Sequence, residues 1–189
     1  MKIVFIGNCQ TLSLCYYFQE LLKTKITYNI YWLMYGEEFR GHLTGWSIKC
    51  KNKILDYNES IRKIKESSII IYQNISLKKT AFCNTKTLYE LKRENCKIIQ
   101  MSSIFIDMSD FDNSIKNMIE RENKNNTTLS VSKILIKFRD KNLLRGKTHP
   151  TTFLFMEIMK SLCKMLNIDF FKDEYYYNLL KNTNHMGLA

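Results

Sequence analysis

Four short apolar runs punctuate the first half of the chain: Lys2–Ile6, Tyr28–Leu33, Ser68–Tyr72 and Lys97–Met101. The first, third and fourth are rich in Ile or Val and are bounded by polar or turn residues. That pattern predicts strands buried on both faces of a sheet. Between them the apolar positions change to helical spacing. From Gln10 to Lys23, Leu14, Cys15, Phe18, Leu21 and Leu22 share one stripe, and Glu59–Glu66 and Lys86–Glu94 are shorter helical segments. Alternation of strand and helix implies crossover connections and a mostly parallel sheet with helices on both faces.

The second half loses its strands. Asp110–Glu122, Leu129–Asp140 and Thr151–Leu166 read as helices, and Tyr175–Lys181 as a short final one. In the longest, Phe155, Ile158, Met159, Leu162, Met165 and Leu166 form a core-facing stripe. Asn123–Thr128 is polar and helix-poor, so it reads as a loop. Gly36 to Trp46, with Arg40 and His42, forms a Gly-containing stretch after the second strand. The sole proline, Pro150, follows His149 and is expected as the rigid first residue of the long helix. The fold class expected is therefore α/β, a three-layer sandwich with a helical C-terminal half.

Composition narrows this further. A length of 189 residues suits one well-packed domain, residues 1–189, and 45% hydrophobic content supplies its core. The C-terminal sequence has no evident stop, so the N-terminal domain of a longer protein is the alternative. No apolar run reaches the length of a membrane span, and the N-terminus lacks a signal-peptide pattern. The six cysteines (Cys9, Cys15, Cys50, Cys83, Cys96 and Cys163) show neither paired spacing nor a nearby His cluster. They predict free thiols in a reducing, cytoplasmic compartment and no structural metal site. A formal net charge of +11 suits a polyanionic or phosphate-rich partner. Lys outnumbers Arg and Asn is abundant, so compositional drift explains the charge as well. No zinc finger, aromatic RNA-binding strand or basic heptad supports nucleic-acid binding.

Ligands of open parallel sheets bind beyond the carboxyl ends of the strands. Three strand ends supply polar residues there: Gly7-Asn8-Cys9-Gln10, Tyr72-Gln73-Asn74, and Ser102-Ser103. Cys9 falls at the start of the first predicted helix, where unpaired N–H groups and the helix dipole favour a thiolate. The same groups suit an oxyanion, with Asn8 as an added donor. The alternative is a small buried cysteine near a helix start. Of the three histidines, His185 lies in a polar C-terminal stretch and His42 in a loop. His149 precedes the long helix and is the better placed base, or else an incidental residue of the capping region.

Gly7-Asn8-Cys9-Gln10 after the first strand, with Thr148-His149-Pro150 late in the chain, resembles the WcbI-type polysaccharide-biosynthesis acetyltransferases. Their Gly-Asn-Cys-Gln motif is matched without departure. Their late Asn-His-Pro motif is matched with Thr148 in place of Asn. The glutamine ending their third strand corresponds to Gln73. The resemblance implies an SGNH-hydrolase-like, flavodoxin-like sheet with Cys in the nucleophile position. An acid three residues before the histidine is usual in that fold, and Gly146 stands there. The expectation is therefore a Cys9–His149 pair without the third member.

The resemblance further implies acetyl transfer from acetyl-CoA to a sugar or nucleotide-sugar, either through an acetyl-Cys9 or directly, with His149 as base and Cys9 lining the oxyanion site; an amino sugar is slightly favoured because an amine is the better nucleophile towards a thioester. Gly7, Asn8, Gln10, Gln73, Asn74 and Ser102 would line the oxyanion and substrate site. Arg40, Arg139, Arg145 and Lys147 are the candidates for the CoA phosphates. A Cys-dependent esterase or deacetylase on the same scaffold is the alternative, and a non-catalytic basic binding module a third.

Overall fold

The computed structural model of the protein describes residues 1–22, 29–34, 57–73 and 85–169. The expected loop chemistry of Arg40 and His42, Asn74, His185, Cys50, Cys83 and the helix Tyr175–Lys181 lies outside them. The elements are β1 (Lys2–Gly7), α1 (Cys9–Leu22), β2 (Asn29–Met34), α2 (Tyr57–Glu66), β3 (Ile69–Gln73), α3 (Thr85–Leu91) and β4 (Lys97–Met101). A 3-10 turn (Met108–Asp110) leads into α4 (Phe111–Lys124), followed by α5 (Val131–Lys137), β5 (Leu144–Arg145), β6 (His149–Pro150) and α6 (Thr152–Leu166).

β1 to β4 form one parallel sheet in the order β2-β1-β3-β4. Ile3, Val4, Phe5 and Ile6 of β1 are all 0% exposed, because the strand is covered on both faces. Ile3 and Phe5 join Ile69, Ile71 and Ile99 against α1, α4, α5 and α6. Val4 and Ile6 turn the other way, with Ile70 and Tyr72, onto Ile64 of α2 and Leu88 of α3. This is the three-layer α/β architecture that the alternating runs imply. Burying one such aliphatic side chain stabilises the fold by about 1.5–3 kcal/mol, so the two faces of β1 hold the layers together.

Within the described residues the predicted strands and helices agree with the observed ones to within a few residues at their ends. Three differences have physical causes. Leu129 and Ser130 precede α5 instead of opening it: Leu129 bridges Met101 in parallel and covers the free edge of β4. Pro150 does not start the long helix. It belongs to β6, and Thr151 caps α6 by accepting from the Leu154 N–H. The β5–β6 hairpin itself has strands of two residues, too short to leave a periodic signature.

Candidate functional site

The strand order reverses direction between β1 and β3, since β2 lies on one side of β1 and β3 on the other. Such a switch point opens a crevice beyond the carboxyl ends of the two strands. Gly7 and Gln73 are the last residues of those strands and stand at its floor. They are packed without slack. A Cβ on Gly7 would meet the Thr11 hydroxyl and come within 2.7 Å of Gln73 Oε1. Glycine is required here by close approach.

Asn8 turns the chain from strand to helix. Its Oδ1 accepts the Gln10 N–H at 3.0 Å, and its carbonyl accepts the Leu12 N–H at 3.0 Å. Asn8 is thus the N-cap of α1, and its own N–H donates to Gln73 Oε1 at 3.3 Å. Cys9 becomes the first helical residue, half-buried, with a free thiol. Among the described residues the N–H groups of Cys9 and Thr11 have no acceptor. Two backbone donors therefore remain at the mouth of the crevice for an anionic or oxyanionic group.

Gln10 is 4% exposed, and its carboxamide is fully engaged. Nε2 donates to the carbonyls of Ile104 and Thr148, each at 2.7 Å. Oε1 accepts from the Ile104 N–H and from Gln73 Nε2, each at 2.9 Å. Gln73, fully buried, also accepts from the Thr11 hydroxyl. The Gln10 side chain is thus a clamp that joins α1, β3, the segment after β4 and the β5–β6 hairpin. With every position of its carboxamide taken, its visible role is to hold backbone in place.

The clamp also brings the late motif to the early one. Thr148, whose carbonyl Gln10 holds, is followed by His149. The His149 ring is exposed, with Nδ1 3.2 Å from Thr148 Oγ1. The Ile106 N–H donates to the Lys147 carbonyl at 2.8 Å, which ties the hairpin to the segment after β4 a second time. Gly146, at φ 70°, makes the hairpin turn, where a side chain is disfavoured by its backbone conformation. Among the described residues no carboxylate pairs with His149.

The basic candidates separate here. Lys147 Nζ lies 2.5 Å from Asp107 Oδ2, so its charge is already matched. That bond, with help from Ser109, pulls the Asp107 carboxyl down to about 2. Arg139 is 3.7 Å from Asp112. Arg145 is exposed on β5, close enough to Tyr17 of α1 to oppose the upward pull of burial on that phenol. Ser102 is buried directly after β4, and its hydroxyl makes no hydrogen bond among the described residues. Sequence reasoning missed Thr11, Ile104 and Asp107. Only Thr11 left a signal, as a small hydroxyl residue one helical turn beyond Gly7. Among the described residues no group of His, Cys, Asp and Glu is arranged to hold a metal, and no helix is long and apolar enough to cross a membrane.

No protein-family model matches the chain, and no curated protein matches it in sequence. Its fold is similar to that of WcbI, described as a polysaccharide biosynthesis enzyme, in a structure of the native protein without a disulfide bond between coenzyme A and one of its cysteines. The TM-score is 0.65 at 12% identity, over 89% of this chain and 70% of that one. At that identity the likeness is one of fold: this chain shares the architecture of a polysaccharide biosynthesis enzyme.

Proposed function

We propose that the protein transfers an acetyl group from acetyl-CoA to a sugar or nucleotide-sugar in glycan synthesis, with Cys9 as nucleophile and His149 as base. The observation that carries the proposal is the pair of bonds from Gln10, which follows Cys9, to Ile104 and to Thr148, which precedes His149. They tie the neighbour of Cys9 to the backbone of the residue before His149, which supports this pairing. The fold shared with WcbI, whose structure concerns a cysteine and coenzyme A, supports the same reading. In the first step Cys9 Sγ attacks the thioester carbonyl, the bond from that carbon to the CoA sulfur breaks, and the proton given up by the Cys9 thiol ends on the departing sulfur, so that CoA leaves as its thiol. The N–H groups of Cys9 and Thr11 would hold the oxyanion. In the second, an acceptor hydroxyl or amine attacks the acetyl-Cys9 carbon while His149 takes its proton, and Cys9 leaves as thiolate. One thioester replaces another, so the loading step is close to isoenergetic. Arg145 is the cation this reading assigns to a CoA phosphate, because Lys147 faces Asp107.

Intact-protein mass spectrometry after incubation with acetyl-CoA tests the proposal. The wild-type protein is expected to gain one acetyl group, and Cys9→Ala none. His149→Ala is expected to load but to pass acetyl to an amino sugar at least about 100-fold more slowly. Unchanged activity in Cys9→Ala would exclude the nucleophile. Rapid CoA release that no sugar accelerates would point instead to the esterase or deacetylase reading.

A further inference from the structure

The β5–β6 hairpin carries His149, and little within the hairpin orients the imidazole. Among the described residues the ring meets only the Thr148 hydroxyl beside it, and no carboxylate. The hairpin is also small, pairing Leu144 with Pro150 and Arg145 with His149. An isolated two-stranded ribbon is marginal in water, so the place of His149 depends on what the hairpin is tied to. Its turn makes the ties. Gln10 Nε2 holds the Thr148 carbonyl, and the Ile106 N–H holds the Lys147 carbonyl. The Lys147 side chain adds another, with Nζ 2.5 Å from Asp107 Oδ2. Asp107 is prepared to receive it. Its Oδ1 accepts from the Ser109 N–H at 3.1 Å and the Ser109 hydroxyl at 2.7 Å, and its own N–H donates to Ser114 Oγ at 3.0 Å. Those bonds fix the carboxylate and leave Oδ2 to the hairpin. The carboxyl, drawn down to about 2 chiefly by Lys147, is ionised at neutral pH. The two side chains are 58% and 33% exposed, so the pair adds little to stability. Geometry is another matter, since misplacing a reacting group by about 1 Å can slow a reaction about 100-fold.

We propose that Asp107 is a positioning residue for His149, acting through Lys147: the ion pair fixes the turn that leads into the histidine, and so sets where the imidazole stands. That the imidazole serves as a base rests on the acyl-transfer reading; its placement by the pair does not. The start of α1, with Cys9, is held separately, by the Asn8 side chain at the Gln10 N–H and by the Gln10 side chain at Ile104. Loading of Cys9 and transfer from it should therefore respond differently to loss of the pair, which a general loss of structure would not produce.

Variants at the pair, followed by two readouts, test this. Asp107→Asn keeps an acceptor for Ser109 and removes the negative charge; Lys147→Gln removes the positive charge, and Lys147→Arg retains it. In intact-protein mass spectrometry, Asp107→Asn and Lys147→Gln are expected to load acetyl onto Cys9 as the wild type does. They should pass it to glucosamine about tenfold more slowly. Lys147→Arg should transfer at the wild-type rate. The double variant Asp107→Asn/Lys147→Gln should be no slower than the slower single one, since both break one pair. In ring C–H NMR spectra of the histidines, His42 and His185 serve as references within the same chain. The His149 cross-peak should move or broaden in Asp107→Asn and stay in place in Lys147→Arg. A His149 signal unmoved by Asp107→Asn overturns the proposal, as does transfer at the wild-type rate in that variant. Equal losses of loading and transfer, with a lower urea midpoint, also overturn it, by making the pair a support of the fold. Where the wild type itself gains no acetyl group, the acyl-transfer reading falls, and the His149 cross-peak alone decides the placement.

Discussion

Single side chains at the mouth of the sheet hold more backbone than their size suggests. Replacing Gln10 with Ala would leave the Ile104 N–H, two carbonyls and Gln73 Nε2 without partners in a buried region. Each unsatisfied group costs about 1–3 kcal/mol, so the variant should lose at least about 3 kcal/mol in urea unfolding. Gln10→Glu is sharper. It keeps the shape but sets a carboxylate against the carbonyls of Ile104 and Thr148, so the folded state favours the protonated acid. The folded pKa is then raised, and stability should recover as pH falls below it. A Gln10→Glu protein whose urea midpoint does not recover toward wild type in acid would contradict the clamp. Gly7→Ala is expected to cost about 1–3 kcal/mol by overpacking, since the new methyl displaces either Thr11 or Gln73.

At the scale of elements, the short helix α5 depends on α4. Glu122 of α4 is buried and accepts from the Val131 and Ser132 N–H groups at 2.8 and 3.1 Å, and from the Ser130 and Ser132 hydroxyls at 2.6 Å. It closes the start of α5 in place of a cap from Ser130, whose own side chain makes no capping bond. Glu122→Ala should cost about 3 kcal/mol and expose α5 first, which hydrogen exchange would resolve as early loss of protection in Ile134 to Phe138. None of this coupling is written in the sequence of α5 itself. The sheet was readable because Ile3 to Ile6 and Ile69 to Tyr72 are buried on both faces, and such runs announce themselves. Cys9 was readable because a strand, a glycine and a cap residue precede it. The clamp was not, because Gln10 binds main-chain groups 94 and 138 residues away, and a backbone carbonyl leaves no mark on residue type. The hairpin that carries His149 was hidden for a related reason: a two-residue strand has no period, and proline before a helical stripe imitates a helix start.

Over the whole molecule, acid should act through exposed carboxylates held by basic neighbours. Glu59 is lowered from 4.5 to about 2, first by its bond to Arg62; Asp107 is lowered from 3.8 to about 2, first by Lys147; Glu66 is lowered by Lys2 and Arg62. A carboxyl depressed in the folded state stabilises that state above its unfolded value and ceases to do so as pH falls through its folded value. Stability should therefore hold from neutrality to about pH 5 and decline from about 4.5 toward 2. The net charge of +11 steepens the fall, since each of the 18 acids neutralised leaves more positive charge unbalanced. Exposed pairs contribute little individually, so the informative comparison is between two pH profiles. Glu59→Gln removes one anion from the group around Arg62 and should have a lower urea midpoint than wild type at pH 7. Near pH 2 the wild-type carboxyls are themselves becoming neutral, so the two midpoints should draw together. A gap as wide at pH 2 as at pH 7 would mean that Glu59 acts by packing rather than charge, and that the Arg62 pairs do not set the acid limb.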